Sequence, residues 1–389
     1  MEKENIYCKQ LSGYQELNLE LEISKMKRIR DKLRRMPDNK EKYFILNDYK
    51  RYYSLLSNFY RKDDFSFEPF DFDWEPIWNK YGMENYAFVY QLGNNLEIIN
   101  RLFSDAREIN WQYGIWKEYD IRKKIDSKMG MLVLEEFFNR MPNNIRNVFR
   151  KVVNGNIAFN DTGQSFAYDI RYCDSAKILI GEKLNDYDAY FSIVHEIGHA
   201  YYYEVMNGLT KLNGLDNEVA SIFMEIIFNN FVDEYLYGME YGITNLFNRQ
   251  SLFANLLASQ NILLSCANDF KLTEDTITGR MDVSKFTERD KKFLELIGFD
   301  MKELFRCGYV KKKELIECFK YTISNLLAIY FADVYRYDQK EGLRMLKDYV
   351  MLPPGVTLEE KLRMYDLTGD SYKKMIRKVH EYGKRKYLF

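Results

Sequence analysis

Several residue types are scarce in this sequence, and each shortage excludes something. Only six prolines occur in 389 residues, and the Leu-, Lys- and Glu-rich text between them reads as mostly helical. The five cysteines, Cys8, Cys173, Cys266, Cys307 and Cys318, are odd in number and scattered. With no C-x-x-C pair, they argue against a disulfide framework or a thiolate zinc site and for a reducing compartment. Neither sign of charge predominates: 57 Lys and Arg face 58 Asp and Glu, a net charge of -1. No global field therefore favours nucleic acid or an anionic membrane as a partner. No run of about 18 apolar residues occurs, so no membrane span is expected. The opening Met1-Glu2-Lys3-Glu4-Asn5 is charged and leads into no apolar region, so no signal peptide is expected and the cytoplasm is the default location. Histidine is scarcer still, at three in the whole chain.

Hydrophobic residues make up 46% and charged residues 30%, as in an ordinary globular protein, and the length allows two or three domains. Aromatics reach 16%, with 32 Tyr and 27 Phe. Most belong in the core and on half-buried surface. A peptide-binding cleft would also use Tyr, as an amphipathic wall that offers hydroxyls.

Apolar residues at three- and four-residue spacing predict helix over 13–36 and 40–60, broken at Met36-Pro37-Asp38-Asn39. An acidic and aromatic stretch, Asp63 to Trp78, reads as an extended, packed connection, with an interaction motif as the alternative. Helical text resumes over about 84–125 and 130–152. Asn156 to Gly163 is turn-rich, and strand-like runs follow at Ser165–Arg171 and Ala176–Ile180. Beyond Asp186 helix is expected almost to the end, interrupted near 207–215, 271–286 and 351–357. The organisation expected is a helical amino-terminal lobe over 1–152 and a catalytic region over 153–389. One small sheet immediately precedes the motif that carries the chemistry.

That motif is Val194-His195-Glu196-Ile197-Gly198-His199-Ala200, and it holds two of the three histidines. On a helix, positions i and i+4 share a face, so both imidazoles can reach one ion. Zinc lowers the pKa of a water at its open position to about 7. Glu196, beside the first ligand, is placed to take that water's proton and pass it to a leaving amine. Catalytic zinc usually has three protein ligands. The remaining histidine, His380, is too distant in sequence for a His-x-x-Gly-x-x-His pattern. Glu218 is the better third ligand, nineteen residues after His199 and near the start of a second helix. The turn signals Met206-Asn207-Gly208 and Lys211-Leu212-Asn213-Gly214 allow that helix to run back antiparallel. Glu225 lies two turns further along nearly the same face, as a supporting partner or a structural residue.

Over roughly 155–370 the sequence resembles the thimet oligopeptidase and oligoendopeptidase F group of zinc metallopeptidases. His195-Glu196-Ile197-Gly198-His199-Ala200, followed by Glu218-Val219-Ala220-Ser221 and Glu225, matches the group's metal signature in order. Gly163 to Tyr168 and Lys177 to Ile180 resemble the strands before its zinc helix, and Lys320 to Ala328 resembles its tyrosine-rich helix start. The resemblance implies a mainly α, bilobed fold with a small sheet beside the zinc helix and a deep substrate cleft. It also implies one Zn2+ per chain and short unstructured peptides as substrates. A tyrosine hydroxyl would stabilise the oxyanion, with Tyr321 first choice and Tyr330 second. Two departures stand out. The group places a histidine some ten residues before that tyrosine, whereas this chain reads Tyr309-Val310-Lys311-Lys312-Lys313, so Tyr309 or a lysine substitutes or a donor is missing. The chain is also shorter than typical members, which implies a reduced amino-terminal lobe and a more open cleft.

The leading expectation is thus a zinc metalloendopeptidase. The alternatives are a dedicated protease with one protein substrate and a non-catalytic peptide-binding scaffold, the latter disfavoured because all four core residues are intact. If Tyr321 donates to the oxyanion, its hydroxyl acts mainly in the transition state. Tyr321→Phe should then lower kcat roughly 100-fold, about 2.7 kcal/mol, with KM nearly unchanged. Steady-state kinetics on a quenched peptide checks this, and a wild-type rate would remove Tyr321 from the role.

Overall fold

Asparagine side chains open the first two long helices in the computed structural model. The structure describes residues 15–60, 69–77, 126–159, 165–168, 176–182, 187–206, 218–235, 280–282, 309–311, 324, 327–352, 356 and 358–367. Among these residues helix far outweighs strand. The chain divides into two compact units, one of Met1–Tyr86 with Arg122–Leu209 and one of Ala87–Ile121 with Thr210–Phe389.

In the first unit, strand β1 (Gln15–Glu16) precedes helix α1 (Leu19–Arg35). The helix begins later than the apolar spacing suggests, because the Asn18 side chain accepts the Leu21 N–H at 3.0 Å and caps it there. Acidic Glu20 and Glu22 occupy its first turn and basic Lys32, Arg34 and Arg35 its last, each complementing the helix dipole. Helix α2 (Lys40–Phe59) is capped in the same way by Asn39. Met26, Ile29 and Leu33 of α1 form one buried cluster with Ile45, Leu46, Tyr49, Tyr52 and Leu56 of α2.

The described part of the acidic and aromatic stretch, 69–77, is a packed connection. The Tyr49 hydroxyl donates to the Pro69 carbonyl at 3.0 Å, and Lys50 Nζ lies 3.2 Å from the centre of the Trp74 ring. Asp71 pairs with Arg30 at 3.2 Å and with Arg34.

The helix expected over 130–152 is two helices, α3 (Ser127–Asn139) and α4 (Asn143–Val153). Pro142 stands at the cap position between them, and it has no N–H with which to continue a helix. Strand β2 (Asn154–Phe159) follows α4 directly, where the text reads as turn. Pairing of Ile157, Ala158 and Phe159 with β4 overrides the turn signals there, and Gly155, at a φ of 87°, gives the strand a turn-like start. Strands β3 (Phe166–Tyr168) and β4 (Lys177–Ile180) complete a four-stranded sheet of order β1-β2-β4-β3. β2 runs parallel to both β1 and β4, with Ile157 opposite Ile178, whereas β3 is antiparallel to β4, with Ala167 opposite Ile178. All four residues of β4 are buried, as expected of a strand covered on both faces. Helix α5 (Tyr187–Met206) packs against β3, β4, α3 and α4. A Cβ at Gly130 of α3 would overlap the Tyr190 ring, so that glycine allows α3 and α5 to approach closely.

The second unit contains helix α6 (Val219–Tyr235), a helical stretch over 327–337 (α7), α8 (Gln339–Val350) and α9 (Leu358–Met364). Strands β5 (Arg280–Asp282) and β6 (Tyr309–Lys311) form an antiparallel ribbon, with Met281 opposite Val310. Helix was expected at 309–311, and pairing with a segment distant in sequence overrides it. Phe223 of α6 meets Tyr335 of α7 edge-on, and Phe331 packs with Tyr349 and Tyr365. Among the described residues, no helix is long and apolar enough to cross a membrane.

One buried ion pair ties α1 to the sheet. Lys177 Nζ, at the start of β4, lies 3.7 Å from Glu22 Oε1, and both side chains are almost fully buried. Glu22 also accepts from Lys25 at 2.7 Å and from the Tyr52 hydroxyl, and Lys177 donates to Asn156. Removing one cation from a buried carboxylate is costly. Lys177→Met should lower the unfolding free energy by about 3 kcal/mol, and adding Glu22→Gln should recover part of that loss. Denaturant melts of the single and double variants measure it, and an unchanged midpoint for Lys177→Met would contradict the pair's importance.

Candidate metal centre

Helix α5 buries most of its surface. Ala189, Tyr190, Phe191, Ile193, Val194, Ile197, Ala200 and Tyr201 are all buried, which anchors the helix against the sheet and the helices beside it. Between Phe191 and Tyr203, only Ser192, His195, His199, Tyr202 and Tyr203 are half-exposed. Successive steps of four residues rotate by about 40°, so 195, 199 and 203 form one slowly turning stripe. Both histidines of the motif therefore lie on the open side of a buried helix. Their ring centres are 4.8 Å apart with planes at 78°, which suits two nitrogens aimed at one point rather than a stack.

Glu196 is 6% exposed, about 100° round the helix from His195. Tyr201 points into the packed side, where it accepts from Asn144 of α4 at 3.3 Å. Burial pushes its hydroxyl up to about 12, with the Asn144 hydrogen bond acting in the other direction. Lys151 of α4 and Glu204 of α5 add an ion pair at 2.6 Å.

Glu218 is the residue on which α6 begins. Its carbonyl accepts the Ile222 N–H at 2.9 Å, so its carboxylate belongs to a helix amino terminus, where negative charge is favoured. Ser221 is fully buried, its Oγ 2.8 Å from the Glu218 carbonyl oxygen and 3.2 Å from Oε2. Its single proton serves one of these acceptors at a time. Glu225, two turns along α6, is also buried.

Ligand atoms of His195, His199 and Glu218 lie within 4.8 Å of one another. Two imidazoles and a carboxylate match the three-ligand set of a catalytic zinc that keeps its fourth position open. Glu196, Glu218 and Glu225 are all buried carboxylates, and buried negative charge is stable only when paired, hydrogen-bonded or bound to a cation. The donor set therefore fits a divalent metal.

In fold, the chain is similar to oligoendopeptidase F and PZ peptidase A. A structure solved under the name oligoendopeptidase F is 13% identical at a TM-score of 0.46, covering 77% of this chain and 57% of that one. PZ peptidase A with an inhibitor is 12% identical at 0.46, covering 81% and 59%. A second structure named oligoendopeptidase F, from Bacillus anthracis strain Ames, is 9% identical at 0.47, covering 86% and 58%. This chain thus spans less than two thirds of the length of these structures. No protein-family model matches the sequence, and no curated protein is similar to it.

Of the remaining sequence candidates, Tyr321 lies outside the described residues. Tyr330 is half-buried in α7. Burial, together with Asp366 and Asp333, holds its hydroxyl above the ordinary tyrosine range, so at neutral pH it is a proton donor. One feature near the motif was not read from sequence. Glu182, just after β4, accepts from Ser165, just before β3, and from Ser192 of α5 at 3.0 Å, and Gly181 N–H donates to Ser165 Oγ at 3.0 Å. Nothing in the local text marks this bridge, because its members are 10 and 17 residues from Glu182. It fixes an edge strand to the helix that carries the histidines. Glu182→Ala should cost about 1–3 kcal/mol by leaving two hydroxyls without their acceptor. Hydrogen exchange at 165–168 should quicken in the same variant, and unaltered exchange there would contradict the bridge.

Proposed function

We propose that this chain is a zinc-dependent endopeptidase acting on short or unstructured peptides, with His195, His199 and Glu218 as metal ligands and Glu196 as general base. The observation that carries the reading is the convergence of those three ligand groups, with a buried glutamate adjacent to the first histidine. Zinc bound there supplies Lewis acidity and an activated water. The Glu196 carboxylate takes a proton from the attacking water as the new C–O bond forms. It then gives that proton to the amine nitrogen as the C–N bond breaks.

A tyrosine hydroxyl, from Tyr321 or Tyr330, donates to the carbonyl oxygen as it gains negative charge. Among the described residues β3 is an edge strand, antiparallel to β4. Its outer main-chain groups suit an extended peptide that adds a further strand. Such pairing reads backbone more than side chains, which favours broad cleavage preference.

Two variants test the reading together. Glu196→Gln should keep its zinc and its melting temperature yet lose peptide hydrolysis, because an amide cannot accept the proton. Glu218→Ala should lose most of its zinc, since two histidines alone bind the ion weakly. Metal analysis and turnover of a quenched peptide library give both answers. A hydrolytically normal Glu196→Gln, or a Glu218→Ala with stoichiometric zinc, would overturn the corresponding role.

A further inference from the structure

The half-exposed stripe on α5 continues one turn beyond the second histidine. Tyr203 is four residues after His199 on the same side of the helix and is half-buried. Its ring lies beside the His199 imidazole, with centres 6.3 Å apart and planes nearly parallel at 23°. This lies within the separation at which aromatic rings attract. Tyr202 in turn meets Tyr203 edge-on, with ring centres 6.0 Å apart. His195 and His199 are thus bordered on the carboxyl-terminal side by an aromatic ring that is itself supported by a second ring.

We propose that Tyr203 is a positioning residue for the metal centre, its ring flanking the His199 imidazole and limiting its rotation away from the ligating orientation. This inference rests on the zinc-site reading above. A half-exposed histidine rotates about two side-chain bonds, and fixing it before the ion arrives removes that entropy from the binding step. The contact uses the ring, so the hydroxyl is dispensable for it. Neighbours that orient metal ligands commonly influence affinity strongly, but a single stacking contact sets a smaller scale. Loss of the Tyr203 ring should raise the zinc dissociation constant roughly 3- to 10-fold.

The test is zinc affinity of the full chain by competition with a chromophoric chelator, without substrate. Tyr203→Leu should bind zinc roughly 3- to 10-fold more weakly, whereas Tyr203→Phe should match the wild type. Tyr203→Met, a second ringless variant of similar bulk, repeats the measurement if the leucine variant folds poorly, and thermal melts of the metal-free proteins identify that case. Wild-type affinity in the ringless variants would overturn the proposal, and equal weakening in Tyr203→Phe would overturn its dependence on the ring. A wild-type protein without measurable zinc affinity would instead overturn the zinc-site reading, and this inference with it. Normal wild-type binding with no effect at position 203 sinks the inference alone.

Discussion

The two imidazoles converge only while α5 remains helical, and α5 remains helical because its other sides are buried. Its own residues, Tyr-, Ile- and Val-rich, are not strong helix formers in isolation. Tertiary packing supplies the difference. Gly130 admits Tyr190 against α3, Asn144 and Lys151 hold α4 to the helix at Tyr201 and Glu204, and β4 lies beneath as a fully buried strand. The stripe left half-exposed, from Ser192 through His195 and His199 to Tyr203, is what that packing leaves open. The chemistry of the site is therefore a consequence of which face of one helix escapes burial.

A second constraint is electrostatic. Glu196, Glu218 and Glu225 are each no more than 6% exposed, and carboxylates are not normally buried without compensation. The amino terminus of α6 and the Ser221 hydroxyl provide some for Glu218. A dication among these groups would provide far more, and it would draw the imidazoles and the carboxylate into one coordination set. The proposed metal would thus be both the functional centre and a countercharge for the carboxylates around it.

The motif itself was legible because its information is local. His195 and His199 need only the 3.6-residue helical repeat to meet, and Glu218 announced itself through the apolar helix that follows it. The resemblance to oligoendopeptidases rested on the same residues. What stayed hidden depends on partners distant in sequence. Strand β2 runs through Asn156 to Phe159, a turn-like text that becomes strand because Ile157, Ala158 and Phe159 pair with β4 and Asn154 and Ile157 with β1. β6 interrupts helical text because β5 is available to pair with it. Pro142 broke one expected helix into two, a local signal that apolar periodicity on both sides had outweighed. Tyr203 was lost among 32 tyrosines, although its spacing of four from His199 was visible in the sequence.

The decisive property is whether the chain needs zinc to cleave peptides. The purified protein should contain about one zinc per chain. Removal of the metal with a chelator should abolish turnover of a quenched peptide library, and stoichiometric Zn2+ should restore it. Equal hydrolysis by metal-free protein, or a chain that neither retains nor rebinds zinc, would contradict that requirement.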